Sequence, residues 1–250
     1  MNDELLKQLK YLGLNTLIEN WANIHKEASR KKPSYSTFLN NIVEKEYNLK
    51  LEKARLARIK RACIPEMFVM DTFPFKKQPK LDKKVVYELY DSLSFLIDNQ
   101  VLLFLGPTGC GKTGLATSFL VHAVNNGYRG RFYDFSNLIE SLNQAKGDRT
   151  EEKFIHKLVS YDILHIDELG YKSCDRNQAS MLFDLMRRRH KKKSTIITTQ
   201  LGFDEWGSFL HDNHLTAALL DRITVNCAVF NMKDCISIRP KKIIYATNKI

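Results

Sequence analysis

The sequence predicts an α/β domain built on a parallel sheet and preceded by a small all-helical region. From Gln100 onward, short apolar runs alternate with amphipathic segments of helical period, which is typical of parallel strands joined by crossover helices. Before about residue 62, apolar residues recur at helical spacing, beginning with Leu5, Leu6 and Leu9. We therefore divide the chain into a helical domain over 1–65, a linker with its leading helix over 66–98, and an α/β domain over 99–250.

The individual elements follow from local patterns. The helical region holds three predicted helices; Asn15 or Thr16 is positioned to cap the second, and the third runs long through KLEKARLARIKRA. Pro65, Pro74 and Pro79 indicate an irregular linker, after which VVYELYDSLSFLI predicts one helix. The predicted strands are VLLFL, RFYDF, DILHI, STIITT and CAVFNM, and the later helices cover QASMLFDLMRRRH, FDEWGSFL and LTAALLDRI.

Composition favours a polyanionic partner. The chain has 39 Lys and Arg against 28 Asp and Glu, a net charge of +11, and residues 1–61 hold 13 of these cations and 7 of the acids. A basic but merely solvated surface is the alternative. The chain has no apolar stretch of about 20 residues and no apolar amino-terminal segment, so we expect a cytoplasmic location. Five widely spaced cysteines predict reduced thiols rather than a zinc site.

A glycine-rich loop directly after the strand VLLFL fits the pattern GxxxxGK[ST] and predicts an ATP site. Backbone N–H groups of such a loop and of the following helix point at phosphates, Lys112 would reach the β- and γ-phosphates, and Thr113 would bind Mg²⁺. A glycine-rich turn that matches by chance is the alternative, and the flanking strand and helix argue against it. Cys110 is interpreted as a spacer. The predicted ATP-binding residues are Gly106, Pro107, Thr108, Gly109, Cys110, Gly111, Lys112 and Thr113.

Two carboxylates end the apolar run ILHI. Asp167 is predicted to hold the Mg²⁺ shell, and Glu168 is predicted to polarise the attacking water as general base. A pair of solvated acids is the alternative. His165 is interpreted as a core residue rather than a catalyst. The acidic pair favours an ATPase over a small-molecule kinase, which would need an acceptor pocket and a lid that the sequence does not reveal.

Two further polar residues are candidates for catalysis. Gln200 follows the strand STIITT, where it could sense the γ-phosphate, although a loop glutamine bound to backbone is an equal alternative. Arg222 ends the helix LTAALLDRI and could stabilise transition-state charge at the nucleotide of a neighbouring subunit. An arginine there could equally satisfy helix carbonyls.

The segments GPTGCGKT, ILHIDELGY, STIITTQLGFDEW and LTAALLDRI together resemble the IstB-like ATP-binding proteins of insertion sequences, which are AAA+ ATPases related to the DnaC helicase loader. The resemblance covers about residues 60–232. It implies an AAA+ P-loop fold with a reduced or absent lid, and ATP-dependent oligomers on duplex DNA that assist a cognate transposase. It also implies a trans-acting role for Arg222. Gln200 stands where the family more often has asparagine, and Arg239 is a weak candidate for a second sensor.

Basic residues near the acidic strand are the favoured contacts to DNA, because the resemblance implies that loops flanking this strand face a DNA channel. The sequence shows no base-reading motif, so contacts to phosphates are expected. The run from Arg187 to Lys193 is more concentrated but is interpreted as a solvated helix end. The predicted DNA-binding residues are Lys146, Arg149, Lys172 and Arg176.

Three other functions remain open from the sequence. A helicase loader would bind a helicase through residues 1–62 and prefer single-stranded DNA. A nucleotide or small-molecule kinase would phosphorylate an acceptor without stimulation by DNA. A scaffold gated by nucleotide would bind ATP without hydrolysing it.

Overall fold

The structure is a computed structural model, and it describes residues 1–171 and 174–238. The contacts divide the chain into two compact units, Met1–Ala57 and Arg58–Ile250. The sequence-based boundary at residue 65 lies a few residues further along the chain and stays a prediction. Within the described residues, no helix is both long enough and apolar enough to cross a membrane.

The amino-terminal unit is helical, as predicted, but it has four helices where the sequence pattern predicts three. Helix α2 is not capped by Asn15 or Thr16, because α2 begins at Asn15 and its own side chains make no cap. The buried carboxylate of Glu46 in α4 instead accepts hydrogen bonds from the N–H groups of Thr16 (3.0 Å) and Leu17 (3.3 Å). The helices are α1 (Asp3–Tyr11), α2 (Asn15–Glu19), α3 (Trp21–Lys31) and α4 (Tyr35–Ala62), the last of which continues into the second unit.

The described residues of the second unit form a five-stranded sheet in the order β2-β3-β4-β1-β5, and every strand pairs in parallel with its neighbours. All residues of β1 and β4 are buried, as is typical of central parallel strands. The sequence of β1 is continuously apolar, whereas β4 adds buried serine and threonine residues to Ile196 and Ile197. The prediction of a parallel sheet is confirmed. The strands are β1 (Val101–Leu105), β2 (Gly130–Asp134), β3 (Ile163–Leu169), β4 (Ser194–Thr199) and β5 (Cys227–Asn231).

The helices pack against the sheet and form two apolar clusters with it. One cluster includes buried residues of α8, α9, α10, α11 and α12, and the other includes those of α6 and α7. The single helix predicted over VVYELYDSLSFLI is interrupted, because Leu93 adopts a left-handed conformation (φ 51°). The helices are α5 (Lys83–Ser92), α6 (Ser94–Ile97), α7 (Lys112–Asn125), α8 (Phe135–Gly147), α9 (Glu151–Ser160), α10 (Arg176–Arg189), α11 (Trp206–Leu210) and α12 (Asn213–Thr224).

Arg189 corrects the interpretation of the basic run as a solvated face. Its side chain is buried at the end of α10, where only 1% of the residue is exposed. The guanidinium donates to the carbonyls of Leu158 (2.8 Å), Tyr161 (2.9 Å) and Ser194, and to the hydroxyl of Thr195 (3.0 Å). Arg189 therefore joins three elements of the core by satisfying carbonyls that would otherwise be buried without donors.

Candidate functional site

The phosphate loop connects the carboxyl end of β1 to the amino terminus of α7. Its glycines are required by close approach: a Cβ on Gly106 would lie 2.6 Å from the carbonyl oxygen of Met232. Gly111 has a φ of 98°, and a Cβ there would meet Phe73 and Ile238 at 2.9 Å. The loop therefore has the compact backbone that brings N–H groups toward a phosphate.

Lys112 is the first residue of α7, and its side chain folds back over the loop. The ammonium group donates to the carbonyls of Gly106 (2.7 Å) and Pro107 (2.9 Å). The N–H groups in the first turn of α7 have no partners within the helix, so they and the positive end of the helix dipole favour an anion at this point. This arrangement can bind the phosphates of a nucleotide.

The segment that follows β5 holds the loop from outside. The N–H of Met232 donates to the carbonyl of Leu105 (2.6 Å), and that of Ile238 donates to Gly109 (2.9 Å). The buried amide of Gln78 connects the phosphate loop to the segment after β5. Its nitrogen donates to the carbonyls of Cys110 (2.9 Å) and Ile236 (2.7 Å). The loop is thus supported by residues that are distant in sequence.

Asp167 lies beside the first turn of α7. Its Oδ1 accepts hydrogen bonds from the hydroxyls of Thr113 (3.0 Å) and Thr198, and the Nε2 of His165 lies 3.7 Å from the same oxygen. Burial by itself raises the pKa of the Asp167 carboxyl, but the nearby His165 ring and the two hydroxyl donors outweigh this effect and hold the pKa below its ordinary value. A carboxylate and a hydroxyl at this separation fit the oxygen ligands that Mg²⁺ prefers.

Glu168 adopts a left-handed backbone conformation (φ 56°), and its N–H donates to the hydroxyl of Thr198 (2.9 Å). Regular alternation along β3 would send the side chains of Asp167 and Glu168 to opposite faces of the sheet. The left-handed residue coincides with a break in register between Ile166 and Leu169, and both acids line one pocket. The irregular backbone therefore allows two consecutive carboxylates to face one cleft.

The backbone strain at Glu168 can be tested by measuring the free energy of unfolding of two variants. Replacing Glu168 with asparagine, which tolerates this conformation, should raise the free energy of unfolding by about 1 kcal/mol. Replacing it with alanine should give no such gain, because alanine lacks the short polar side chain that can hydrogen-bond to the local backbone. Urea denaturation measures both variants, and equal stabilities for asparagine and alanine would show that the backbone strain is not what limits stability here.

The loop and the acids open into a cavity of about 650 Å³, which is within the range of small-molecule sites. Its other wall comes from the segment 65–74, which sequence analysis treats as a mere linker. Phe68 lies against Gly114, and Phe73 against Gly111, so aromatic side chains flank the start of α7. The string DTFPF, with apolar residues in a region without helical or strand period, is the signal that could have identified this wall.

The cavity brings together most of the residues predicted to bind the nucleotide and the metal ion. Lys112, Thr113, Asp167, Glu168 and Gln200 all line it. The Oε1 of Gln200 accepts a hydrogen bond from the hydroxyl of Thr108 (3.3 Å), so Gln200 contacts the phosphate loop. Thr198, which holds both Asp167 and Glu168, was missed by sequence analysis, although it lies in the predicted strand STIITT.

Arg222 does not line this cavity. It lies near the end of α12. Asn226, just after this helix, accepts a hydrogen bond at its carbonyl from the N–H of Val101 (2.9 Å), which is the first residue of β1. The phosphate loop follows the last residue of β1, so the two sites are at opposite edges of the sheet. The guanidinium of Arg222 donates to the carbonyl of Ala218 (2.6 Å), as the alternative interpretation expected, and lies 4.7 Å from the ring centroid of Phe183.

The predicted DNA contacts lie outside the cavity. Lys146 and Arg149 are exposed where α8 ends, and Arg176 is exposed at the first residue of α10. Lys172 and Arg239 lie outside the described residues. The three described cations are therefore available to a partner at the surface rather than to the nucleotide.

Comparison with known proteins identifies the family. A family model described as IstB-like ATP binding protein matches residues 7–244. The ATP-binding protein of insertion sequence IS5376 from Geobacillus stearothermophilus is 34% identical over 233 residues, which cover 93% of this chain and 92% of that protein. The ATP-binding protein of insertion sequence IS21 from Pseudomonas aeruginosa is 34% identical over 229 residues, with coverage of 92% and 85%.

Among solved structures, AMPPCP-bound DnaA from Aquifex aeolicus matches with a TM-score of 0.55 at 17% identity, over 66% of this chain and 50% of that one. This likeness concerns the fold alone: the larger unit shares a fold with that structure and builds it on a parallel sheet. The resemblance drawn from the four sequence segments is confirmed. The chain belongs to the family of IstB-like ATP-binding proteins.

Proposed function

We propose that this protein hydrolyses ATP between its own copies, assembles on duplex DNA and assists the transposase of its insertion sequence. The observation that carries the proposal is the division of the catalytic groups between two edges of one sheet. Phosphate loop, acid pair and Gln200 share one cavity, while Arg222 lies at the other edge. The relatives named for insertion sequences support the transposition context.

Within one chain, the cavity supplies the groups that would bind the phosphates and Mg²⁺, and it supplies a general base. Lys112 would exchange its two carbonyl partners for the β- and γ-phosphates, and Thr113 with Asp167 would hold Mg²⁺. Bound there, Mg²⁺ offsets the charge of the phosphates. Glu168 would accept a proton from the attacking water, and Gln200 beside Thr108 would contact the γ-phosphate or that water. The adenine ring of ATP would pack against the aromatic wall that contains Phe68 and Phe73.

The same cavity is short of positive charge for the transition state. Among the described residues that line it, Lys112 is the only cation. Arg222 is separated from it by the length of β1, about 16 Å for five residues. A second chain that presents its Arg222 edge to this cavity would supply the missing guanidinium, and such head-to-tail contacts generate rings or helical filaments.

Contact with DNA would be made through phosphates. Lys146, Arg149 and Arg176 are exposed cations outside the cavity, and Lys172, the fourth predicted contact, lies outside the described residues. Because such contacts release counterions and read no bases, binding should tolerate any sequence and weaken steeply with salt.

Sedimentation analysis with duplex DNA, with and without ATP, tests nucleotide, partner and assembly together. We expect large complexes only when wild-type protein, duplex and ATP are all present, and none with Lys112→Ala. Single-stranded DNA of the same length is the comparison that separates this proposal from a helicase loader. Larger or more stable assemblies on the single strand, or assemblies that ignore ATP, would contradict the proposal.

A further inference from the structure

His165 is a buried polar residue that the proposed chemistry does not use. It is fully buried in the middle of β3, and neither ring nitrogen has a hydrogen-bond partner among the described residues. Its ring instead packs against the ring of Phe132 in a T-shaped arrangement, with the ring centroids 4.8 Å apart and an interplanar angle of 83°. An imidazole without partners is costly to bury, and a leucine of similar volume would fit an apolar core without that cost.

The position of His165 relates it to the acid pair. His165 and Asp167 are two residues apart on one strand, so their side chains share a face, and Nε2 lies 3.7 Å from Oδ1 of Asp167. This distance is slightly beyond a hydrogen bond. On α7, Thr117 follows Thr113 by one turn, and its buried hydroxyl also has no partner among the described residues. Two buried polar groups, one on the strand of Asp167 and one on the helix of Thr113, therefore lack hydrogen-bond partners among the described residues.

The contacts of Asp167 show what His165 can do. Its three described contacts, with Thr113, Thr198 and His165, all involve Oδ1. A hydroxyl has two lone pairs besides its O–H, so Thr113 could bind a metal ion and still donate to Oδ1. A shift of less than about 1 Å would bring the Nε2–H of His165 into hydrogen-bond range of that oxygen.

We propose that His165 is a positioning residue, which holds Oδ1 of Asp167 so that the carboxylate keeps its orientation toward the magnesium ion. The inference rests on the proposed magnesium-dependent ATP site. Partners that orient the ligands of a metal typically change metal affinity 10–100-fold when they are removed. His165 therefore acts on the metal through Asp167 and touches neither nucleotide nor water.

The test measures nucleotide binding rather than turnover. The affinity of the full chain for a fluorescent ATP analogue is titrated with Mg²⁺ and with EDTA, and the ratio of the two affinities is the magnesium gain. We expect His165→Leu to reduce the gain about 10-fold while the affinity in EDTA stays at the wild-type value. His165→Gln should restore it, because its amide nitrogen occupies the place of Nε2, whereas the shorter His165→Asn should not.

Ile166→Val is the matched control, since it alters the same strand on the opposite face and should leave the gain unchanged. Equal gains in the leucine, glutamine and wild-type proteins would overturn the role of His165, with the magnesium site intact. A wild-type protein without any magnesium gain would instead overturn the proposed site. If the leucine variant does not fold, the comparison of glutamine with asparagine decides, and equal gains in these two would refute the inference.

Discussion

Replacing Glu168 with glutamine should lower the rate of ATP hydrolysis by about 10²–10⁴-fold, the usual contribution of a positioned general base. The amide has nearly the same shape but cannot accept the proton of the attacking water. Affinity for ATP should persist, because Lys112, Thr113 and the loop are unchanged. Release of inorganic phosphate measures turnover, and a fluorescent ATP analogue measures binding.

Glu140→Gln provides the control for this result. Glu140 is exposed on α8 and does not line the cavity, so its variant loses the same charge without touching the site. Turnover of Glu168→Gln at the level of this control would rule out Glu168 as the base. If both phosphate release and ATP binding were lost, the substitution would have disturbed the left-handed backbone rather than the chemistry.

Replacing Arg222 with alanine should lower turnover by about 10³–10⁵-fold, the range associated with an arginine that stabilises phosphoryl transfer from a neighbouring subunit. Affinity of the isolated chain for ATP should not change, because Arg222 lies outside its cavity. Arg222→Lys should remain strongly impaired, since lysine keeps the charge but lacks the planar fork. Arg187→Ala is the control, because Arg187 lies on the exposed side of α10 in an ion pair with Asp184.

Mixing two inactive proteins tests whether Arg222 acts between chains. Arg222→Ala subunits keep a complete cavity, and Lys112→Ala subunits keep the arginine, so mixed oligomers contain some complete sites. We expect activity to reappear on mixing and to follow the proportion of the two proteins. Mixed oligomers that form but stay inactive would argue against catalysis in trans.

The sequence predicts the sheet and the phosphate loop well because both follow from local rules. Buried parallel strands are short apolar runs, and a phosphate loop needs glycine, lysine and threonine at fixed spacing. Asp167 and Glu168 could be located because they end such a run. Their presence in one cavity could not be derived, since it depends on an irregular backbone at Glu168 that no local pattern requires.

Other features depend on residues that are far apart in the chain. Arg189 is buried because carbonyls at the end of α9 and at the start of β4 surround it, and a sequence window shows only a basic run. The cap of α2 comes from Glu46 on another helix. The wall around Phe73 has no secondary-structure period, so its place in the cavity arises only from tertiary packing. In each case the partner that decides the role of the residue is invisible to a local pattern.

The support that Met232, Ile236 and Ile238 give to the phosphate loop has a consequence for protein synthesis. A ribosome completes the loop long before it reaches these residues, and Gln78 must wait for a partner 158 positions later. Contacts of such sequence separation form late, because the intervening chain must first be ordered. A nascent chain that has emerged only through β4 therefore carries every residue of the loop without these contacts, and the loop gains them only after β5 and the segment behind it have been made.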